Sequence, residues 1–305
     1  MSIDTKLRAG LIGYGEVGKI LSRALVEKRI GWVGAWDLLL RDAAHGRAMR
    51  AHAQDAGVEA CASAAALLER CDVVVSAVTA ANSDDVAREA ADSIRPGTFF
   101  LDLNSASPGT KARSAQRIES AGAHYVEAGV MTSVPPYGIK VPMVVGGKRA
   151  AELAERLAPL GFSMEVVATE IGVASAIKMC RSIVIKGMEA MVIESYVTAR
   201  RHGVEDRVLA SLKETFPGLD WEKQGAYFFS RVAKHGRRRA EEMREAAVTV
   251  REAGFDPWVA AATAEKHDWF AQLARSGLFR DLDDSQWRDY ADRVLRARGD
   301  PAGSG

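Results

Sequence analysis

The stretch Ala9-Gly10-Leu11-Ile12-Gly13-Tyr14-Gly15-Glu16-Val17-Gly18 decides the fold of this 305-residue chain. Its apolar start is typical of a buried strand, and the residues from Glu16 onward predict a helix directly after it. Between them, Gly13, Gly15 and Gly18 have the spacing G-x-G-x-x-G. In this context the spacing predicts a helix N-terminus that binds a dinucleotide pyrophosphate through backbone N–H groups. The alternative is a tight strand–helix turn without a ligand.

The residues that would surround such a cofactor lie in this turn and at the ends of later strands. Asp37 ends the second predicted strand, where an acid would bind the adenosine ribose and repel a 2′-phosphate. Arg41 could reach such a phosphate if Asp37 turned away, so NAD is the preferred cofactor and NADP the second candidate. Alternatively, Asp37 only caps the helix that begins near Arg41. The predicted cofactor-binding residues are Gly13, Tyr14, Gly15, Glu16, Val17, Asp37, Val78, Thr79 and Asn104.

Short apolar runs alternate with helical stretches up to about residue 168. This rhythm predicts an α/β fold with a Rossmann-type, doubly wound parallel sheet, because parallel strands are normally joined by helical crossovers. After residue 168 the pattern is helical, and one long apolar helix is predicted over about 173–202. We therefore predict a dinucleotide-binding domain at 1–168 and an all-α substrate and dimerisation domain at 169–305, with a disordered tail from 299.

Composition excludes several classes of protein. The 41 Lys and Arg residues nearly balance the 40 Asp and Glu residues, so no strong field attracts nucleic acid, and no long uncharged run predicts a membrane span. The three cysteines form no C-x-x-C pair, and the polar N-terminus does not resemble a signal peptide, which together favour the cytoplasm. The six histidines form no H-x-x-x-H pair, so no metal site is expected.

One face of the predicted long helix is polar. At 100° per residue, its polar side chains fall within an arc of about 80°, and they are Ser175, Lys178, Ser182, Lys186 and Glu189. A polar stripe on an otherwise apolar helix is typical of a cleft wall, where a lysine loses solvation and its pKa falls toward neutrality. Lys178 is therefore the predicted catalytic acid/base. Alternatively, Lys178 reaches a solvated rim or pairs with Glu189.

With these features the chain resembles the β-hydroxyacid dehydrogenase family, which includes 3-hydroxyisobutyrate and 6-phosphogluconate dehydrogenases. The glycine-rich turn resembles the family's cofactor turn. Asp102-Leu103-Asn104-Ser105-Ala106-Ser107-Pro108 resembles its D-x-S-T-x-x-P segment, and Gly172-Val173-Ala174-Ser175-Ala176-Ile177-Lys178 its catalytic-lysine segment. The resemblance implies hydride transfer between NAD(P) and a hydroxy acid or related alcohol or carbonyl compound, in a cleft between the two domains. It also implies a homodimer that shares its α-domains.

Two departures from the family pattern concern the substrate. The family's D-A-P-V-S-G-G loop is replaced by Glu127-Ala128-Gly129-Val130-Met131-Thr132-Ser133, and the usual Asn four residues after the lysine is Ser182. The lost Ser-Gly-Gly cradle favours an alternative, an imine or ketone reductase whose substrate lacks a carboxylate, although Lys178 argues against it. A non-catalytic NAD-binding regulator is the less favoured third candidate.

The predicted substrate residues lie in this loop and in the α-domain, and they are Met131, Thr132, Ser133, Ser182 and His235. His235 belongs to the basic cluster Lys234–Arg239. Such a cluster either clamps an anionic substrate or forms a solvated face that nearby glutamates offset.

Overall fold

The computed structural model describes residues 4–282 and 285–298, so the predicted disordered tail 299–305 lies outside the described residues. The chain divides into two compact units on either side of the Cys180–Arg181 bond. We call them the first unit and the second unit. No helix in the described ranges has the length and apolar character needed to cross a membrane.

The first unit alternates strands with helices. Its strands are β1 (Arg8–Ile12), β2 (Trp32–Trp36), β3 (Glu59–Ala60), β4 (Val73–Ser76), β5 (Phe99–Asp102), β6 (His124–Val130), β7 (Pro142–Gly146) and β8 (Ser163–Ala168). Its helices are α1 (Glu16–Glu27), α2 (His45–Asp55), α3 (Ala64–Leu68), α4 (Ser83–Ala91), α5 (Pro108–Ser120), α6 (Ala150–Leu157) and the start of α7 (Val173–His202).

The eight strands form one sheet in the order β3-β2-β1-β4-β5-β6-β7-β8. The first six follow the doubly wound order with β1 at the centre, and their pairs are all parallel. Every residue of β4 and β5 is buried, as expected for central parallel strands covered on both faces. The predicted Rossmann-type α/β fold is confirmed.

One pair departs from the predicted parallel sheet, because β7 runs antiparallel to β6. The connection between them, residues 131–141, contains only the short 3₁₀ turn Gly138–Lys140. A parallel pair would need a longer crossover, usually through a full helix. The strand after it, β8, is again parallel to β7 and follows the helix α6.

The second unit is entirely helical in its described residues, as predicted. It contains the rest of α7, followed by α8 (Glu205–Thr215), α9 (Trp221–Glu252), α10 (Trp258–Arg275) and α11 (Trp287–Ala297). Its core is aromatic: Phe229 packs edge-on against Phe270, and Tyr196 packs against Trp287. These rings are large apolar surfaces whose burial stabilises the helical packing.

Candidate cofactor and active site

The predicted cofactor residues follow four neighbouring strands of the first unit. Gly13 follows β1, Asp37 follows β2, Val78 follows β4, and Asn104 follows β5. Because these strands are parallel, their carboxyl ends meet at one edge of the sheet, where open α/β sheets bind their ligands. The structure therefore brings these segments together.

The glycine-rich turn has the space and the free donors that a pyrophosphate needs. Gly13 has φ +94°, and a Cβ on Gly18 would collide with the carbonyl of Gly13, so neither position suits a larger residue. Gly15 is the N-cap of α1, with nothing within 4 Å of the place that a Cβ would occupy. The first N–H groups of α1 donate no hydrogen bond to a capping side chain, so they remain available as donors to an anion. The turn therefore fits a dinucleotide.

Asp37 is bonded to two backbone groups beside this turn. Its Oδ2 accepts a hydrogen bond from Tyr14 N at 2.7 Å, and its Oδ1 accepts one from Leu39 N at 2.9 Å. The second bond caps the 3₁₀ turn Leu38–Arg41, whereas the next helix, α2, begins at His45 with Ala44 as its N-cap. The first bond ties the same carboxylate to the glycine-rich turn. The guanidinium of Arg41 lies over the Trp36 ring, 5.5 Å from its centroid.

Asn104 is buried and uses its amide inside the protein. Its Oδ1 accepts from Val78 N at 2.7 Å, and its Nδ2 donates to Ser76 Oγ at 2.9 Å. The side chain thus fixes the backbone immediately before Thr79, which is itself exposed. Asn104 joins the ends of β4 and β5 at the carboxyl edge.

Beneath Asn104 lies a buried polar group that the sequence analysis missed. Asp102 Oδ1 lies 3.0 Å from Lys111 Nζ and accepts from Asn104 N, and its Oδ2 accepts from Tyr125 OH at 2.6 Å. Burial, and then the neighbouring Asp102, raise the pKa of the Tyr125 hydroxyl, so it remains a donor. An Asp at the end of an apolar strand was the available signal. Its partner Tyr125 lies 23 residues along the chain, on the next strand, so spacing does not reveal it.

Lys178 lies on the part of α7 that belongs to the first unit, and its side chain is half-buried. A Cβ on Gly129 would be 3.1 Å from Lys178 Cβ, so the lysine stem packs directly against β6. The predicted substrate residues Met131, Thr132 and Ser133 follow that strand, which runs parallel to β5. The lysine stem and this loop are therefore close to the carboxyl end of β6.

Glu127 is a second buried residue that the sequence analysis did not identify as functional. Its Oε1 accepts from Gly172 N at 2.7 Å and from Ala174 N at 3.0 Å, and its Oε2 accepts from Ser175 N at 3.3 Å. An acid among the buried, mostly apolar residues of the strand His124–Val130 was the signal that could have found it.

The remaining polar residues of the α7 stripe belong to the second unit. Ser182 Oγ accepts from Lys186 Nζ at 3.1 Å, and Lys186 Nζ lies 2.8 Å from Glu242 Oε2. Glu189 forms a bidentate ion pair with Arg239. The sequence offers Glu189 as an alternative partner of Lys178, whereas in the structure this carboxylate pairs with a guanidinium. Burial raises the pKa of Glu189, and the charge of Arg239 opposes that rise.

The basic cluster Lys234–Arg239 lies on α9, with His235 half-buried. Arg237 approaches Glu241 at 3.5 Å, and Arg238 approaches Glu242 at 3.7 Å. Together with Arg239, all three arginines of the cluster therefore have carboxylate partners. Within the described ranges, no group of three or more acidic, histidine or cysteine side chains could hold a metal ion.

Two sequence profiles match the chain. The NAD binding domain of 6-phosphogluconate dehydrogenase matches residues 8–171, more than half of the chain, and a domain of unknown function (DUF1932) matches residues 199–270. A conserved hypothetical protein from Sinorhizobium meliloti 1021 is 38% identical. The match covers 95% of this chain and 96% of that one, with a TM-score of 0.73.

Two more distant structures share the fold. The 3-hydroxyisobutyrate dehydrogenase of Mycobacterium tuberculosis, solved with L-serine, is 17% identical over 95% of this chain and 99% of that one, with a TM-score of 0.64. An imine reductase from Myxococcus stipitatus, solved with NADP⁺, is 19% identical over 94% and 99%, with a TM-score of 0.53. The glycine turn, the sheet order and the profile match over residues 8–171 agree, and the chain belongs to the β-hydroxyacid dehydrogenase family.

Proposed function

We propose that the protein is an NAD-dependent dehydrogenase that transfers a hydride between nicotinamide and a hydroxy acid or a related alcohol or carbonyl substrate, with Lys178 as the acid/base. The main support is the contact of the Lys178 stem with Gly129, near the carboxyl end of β6. In the oxidative direction, Lys178 would take the hydroxyl proton of the substrate, and bound NAD would supply the hydride acceptor.

The protein's part in binding the cofactor comes from its backbone and from four further residues. The N–H groups of Gly15, Glu16 and Val17 would hold the pyrophosphate at the start of α1. Asp37 would accept hydrogen bonds from the ribose, and Val78 and Thr79 would line the nicotinamide, with Asn104 fixing their backbone.

The anchoring of Asp37 supports NAD over NADP. Two backbone N–H groups hold its carboxylate, so turning away would leave the N–H groups of Tyr14 and Leu39 without an acceptor. A 2′-phosphate on the ribose would then face a fixed negative charge. We expect calorimetry to give an affinity for NAD at least about tenfold higher than that for NADP. In Asp37→Asn the difference between the two affinities should be smaller.

The substrate would be oriented by the loop Met131–Ser133 and by Ser182 and His235. Ser182 Oγ accepts a hydrogen bond from Lys186 Nζ. Its own hydroxyl proton is therefore available for donation, which suits Ser182 as a hydrogen-bond donor to the substrate. The alternative, an imine or ketone reductase, is supported by the missing Ser-Gly-Gly cradle. Initial rates on 3-hydroxy acids and on cyclic imines separate the two.

We also propose a cytoplasmic homodimer with small molecules as its ligands. The support for a dimer is a set of exposed apolar side chains on α7, on α10 and just before α10, which are Val184, Met191, Phe255, Trp258 and Val259. Free thiols at Cys61, Cys71 and Cys180 suit a reducing compartment.

The deciding experiment combines cofactor binding with a lysine substitution. NAD and NADP are tested by thermal shift, and turnover is then followed by NADH absorbance across hydroxy acids. Lys178→Met should bind NAD as the parent does and lose about 100- to 10,000-fold in kcat. The control Lys213→Met removes an exposed lysine on α8 and should leave NAD binding and kcat unchanged.

Three results would contradict the proposal. Near-normal turnover in Lys178→Met would remove the role of the lysine. Binding without turnover on any alcohol, ketone or imine would support the regulator instead. No stabilisation by either cofactor would overturn the whole assignment.

A further inference from the structure

We propose that Glu127 is a positioning residue for the reaction: its carboxylate fixes the first turn of α7 against β6 and thereby sets where Lys178 stands. The inference rests on the acid/base role proposed for Lys178. Glu127 acts through the backbone of α7, and no contact with substrate or cofactor is claimed for it.

The first support is the cost of burying this side chain. Glu127 lies inside the sheet and is fully buried, and an isolated carboxylate in such a place would be strongly unfavourable. Three N–H groups at the beginning of α7 compensate for the lost water, and the helix dipole adds to them. The strand and the helix start are therefore joined by one carboxylate.

The second support is the space left around the carboxylate. A Cβ on Gly146 of the neighbouring strand β7 would lie 2.9 Å from Glu127 Oε1, closer than real Cβ atoms come to other atoms. The turn into α7 needs Gly172, whose φ is +109°. Glycines thus occur both where the carboxylate needs room and where the chain turns toward it.

The third support is the close approach of β6 to Lys178. A Cβ on Gly129 would lie 3.0 Å from the Ala174 carbonyl oxygen and 3.1 Å from Lys178 Cβ. Glu127 and Gly129 point to the same face of β6, since alternate residues of a strand share a face. Glu127 therefore binds the first turn of α7, and Gly129 lets the next turn approach.

This arrangement bears on chemistry because Lys178 follows Ser175 by about one helical turn. If the carboxylate is lost, the first turn can shift or fray, and the lysine moves with it. A displacement of about 1 Å at a reacting group can cost on the order of 100-fold in rate. An ordinary helix cap would change stability and leave the chemistry of Lys178 as it was.

The test replaces the carboxylate by an amide of the same shape. In Glu127→Gln the Nε2 group cannot accept a hydrogen bond, so part of the anchor is lost. Glu165→Gln makes the same change at an exposed position of β8 and is the matched control. Hydrogen exchange by mass spectrometry should show faster exchange over residues 172–178 in Glu127→Gln only.

A substrate-free readout then follows Lys178 itself. Trace acetylation with acetic anhydride compares Lys178 with the exposed Lys148 in the same sample. We expect the relative rate at Lys178 to rise about threefold or more in Glu127→Gln, since the lysine on a loosened turn is more accessible to the reagent. The control should match the parent.

A second variant keeps the inference testable if Glu127→Gln folds poorly. Gly129→Ala leaves the carboxylate in place and pushes the lysine turn away by a few tenths of an ångström. It should also change acetylation at Lys178, and it should lower kcat at least about tenfold with little change in the cofactor Kd.

The outcomes separate the two proposals. Unchanged exchange at 172–178 in Glu127→Gln, or faster exchange with unchanged Lys178 acetylation, overturns the positioning role. The positioning role is also overturned if Gly129→Ala displaces the turn that carries Lys178 and kcat stays normal. If the parent protein shows no cofactor-linked turnover, the proposed function fails, and the exchange and acetylation results still show whether Glu127 fixes the turn.

Discussion

His267 is a neutral histidine enclosed by charged side chains of the second unit. Burial, followed by the positive charges of Arg239 and Lys186, lowers its pKa to about 3, against the opposing effect of Glu242. Its Nε2 lies 3.6 Å from Glu189 Oε2, and neither ring nitrogen has a hydrogen-bond partner among the described residues. The folded protein therefore keeps this ring uncharged in mildly acidic solution.

The lowered pKa makes stability depend on pH in a defined direction. Below about pH 6.5 the unfolded chain takes up a proton at this histidine and the folded chain does not, so stability falls as the pH falls. We expect a slope approaching about 1.4 kcal/mol per pH unit between pH 6 and 4.5. Urea unfolding at several pH values should show a flatter profile in His267→Leu; the same slope in parent and variant would contradict this.

Asn104 allows a second prediction on the scale of one residue. Asn104→Ala removes the acceptor of Val78 N and leaves a part-buried backbone donor unpaired, which costs about 1 kcal/mol. We expect the backbone before Thr79 to loosen and the NAD affinity to fall about tenfold in calorimetry. An unchanged Kd would mean that this backbone does not contribute to the cofactor site.

Helix α9 packs tightly against α10 at Gly236. A Cβ there would lie 2.9 Å from the His267 carbonyl oxygen and 3.0 Å from Ala271 Cβ. Gly236→Ala should therefore destabilise the protein by about 1–3 kcal/mol, despite the better helix propensity of alanine. The control is Gly187→Ala on α7, where the nearest atom lies at 3.8 Å and stability should rise by about 0.5–1 kcal/mol. Equal melting temperatures in the two variants would contradict the argument.

Most elements of the first unit could be predicted from local pattern. The runs around Leu11, Val74 and Phe100 are apolar enough to indicate central strands, and the glycine-rich turn identified the edge where ligands bind. The direction of β7 could not be inferred from its own residues, because it depends on how short the preceding connection is. Strand patterns report burial and carry no information on the partner's direction.

The candidate site was predictable only where its residues act locally. The glycines and Asp37 follow a fixed spacing, so they could be identified as candidates from the sequence. Glu127 bonds to backbone groups 45 to 48 residues away, and Lys111 contacts Asp102 from the next helix. Partners at such separations appear only once the sheet is assembled.

At the scale of the whole molecule, the exposed apolar side chains predict self-association. Trp258 is 79% exposed and Phe255 is 72% exposed. Large aromatic side chains exposed to this extent are unusual in a monomeric protein. We expect sedimentation to give a dimer for the parent chain and a monomer for Trp258→Glu. A monomeric parent at micromolar concentration would contradict the homodimer.

The antiparallel pair β6–β7 has a consequence for how the chain folds. A short connection joins its two strands. The strands of a parallel pair in the first unit, such as β1 and β2, are separated in the chain by a longer crossover, which must be closed before they can form hydrogen bonds with each other. Closing a short loop costs less conformational entropy, and contacts between near neighbours form faster. Pulsed hydrogen exchange during refolding should therefore protect residues 124–146 before the central strands, which makes the strand that carries Glu127 an early folding nucleus.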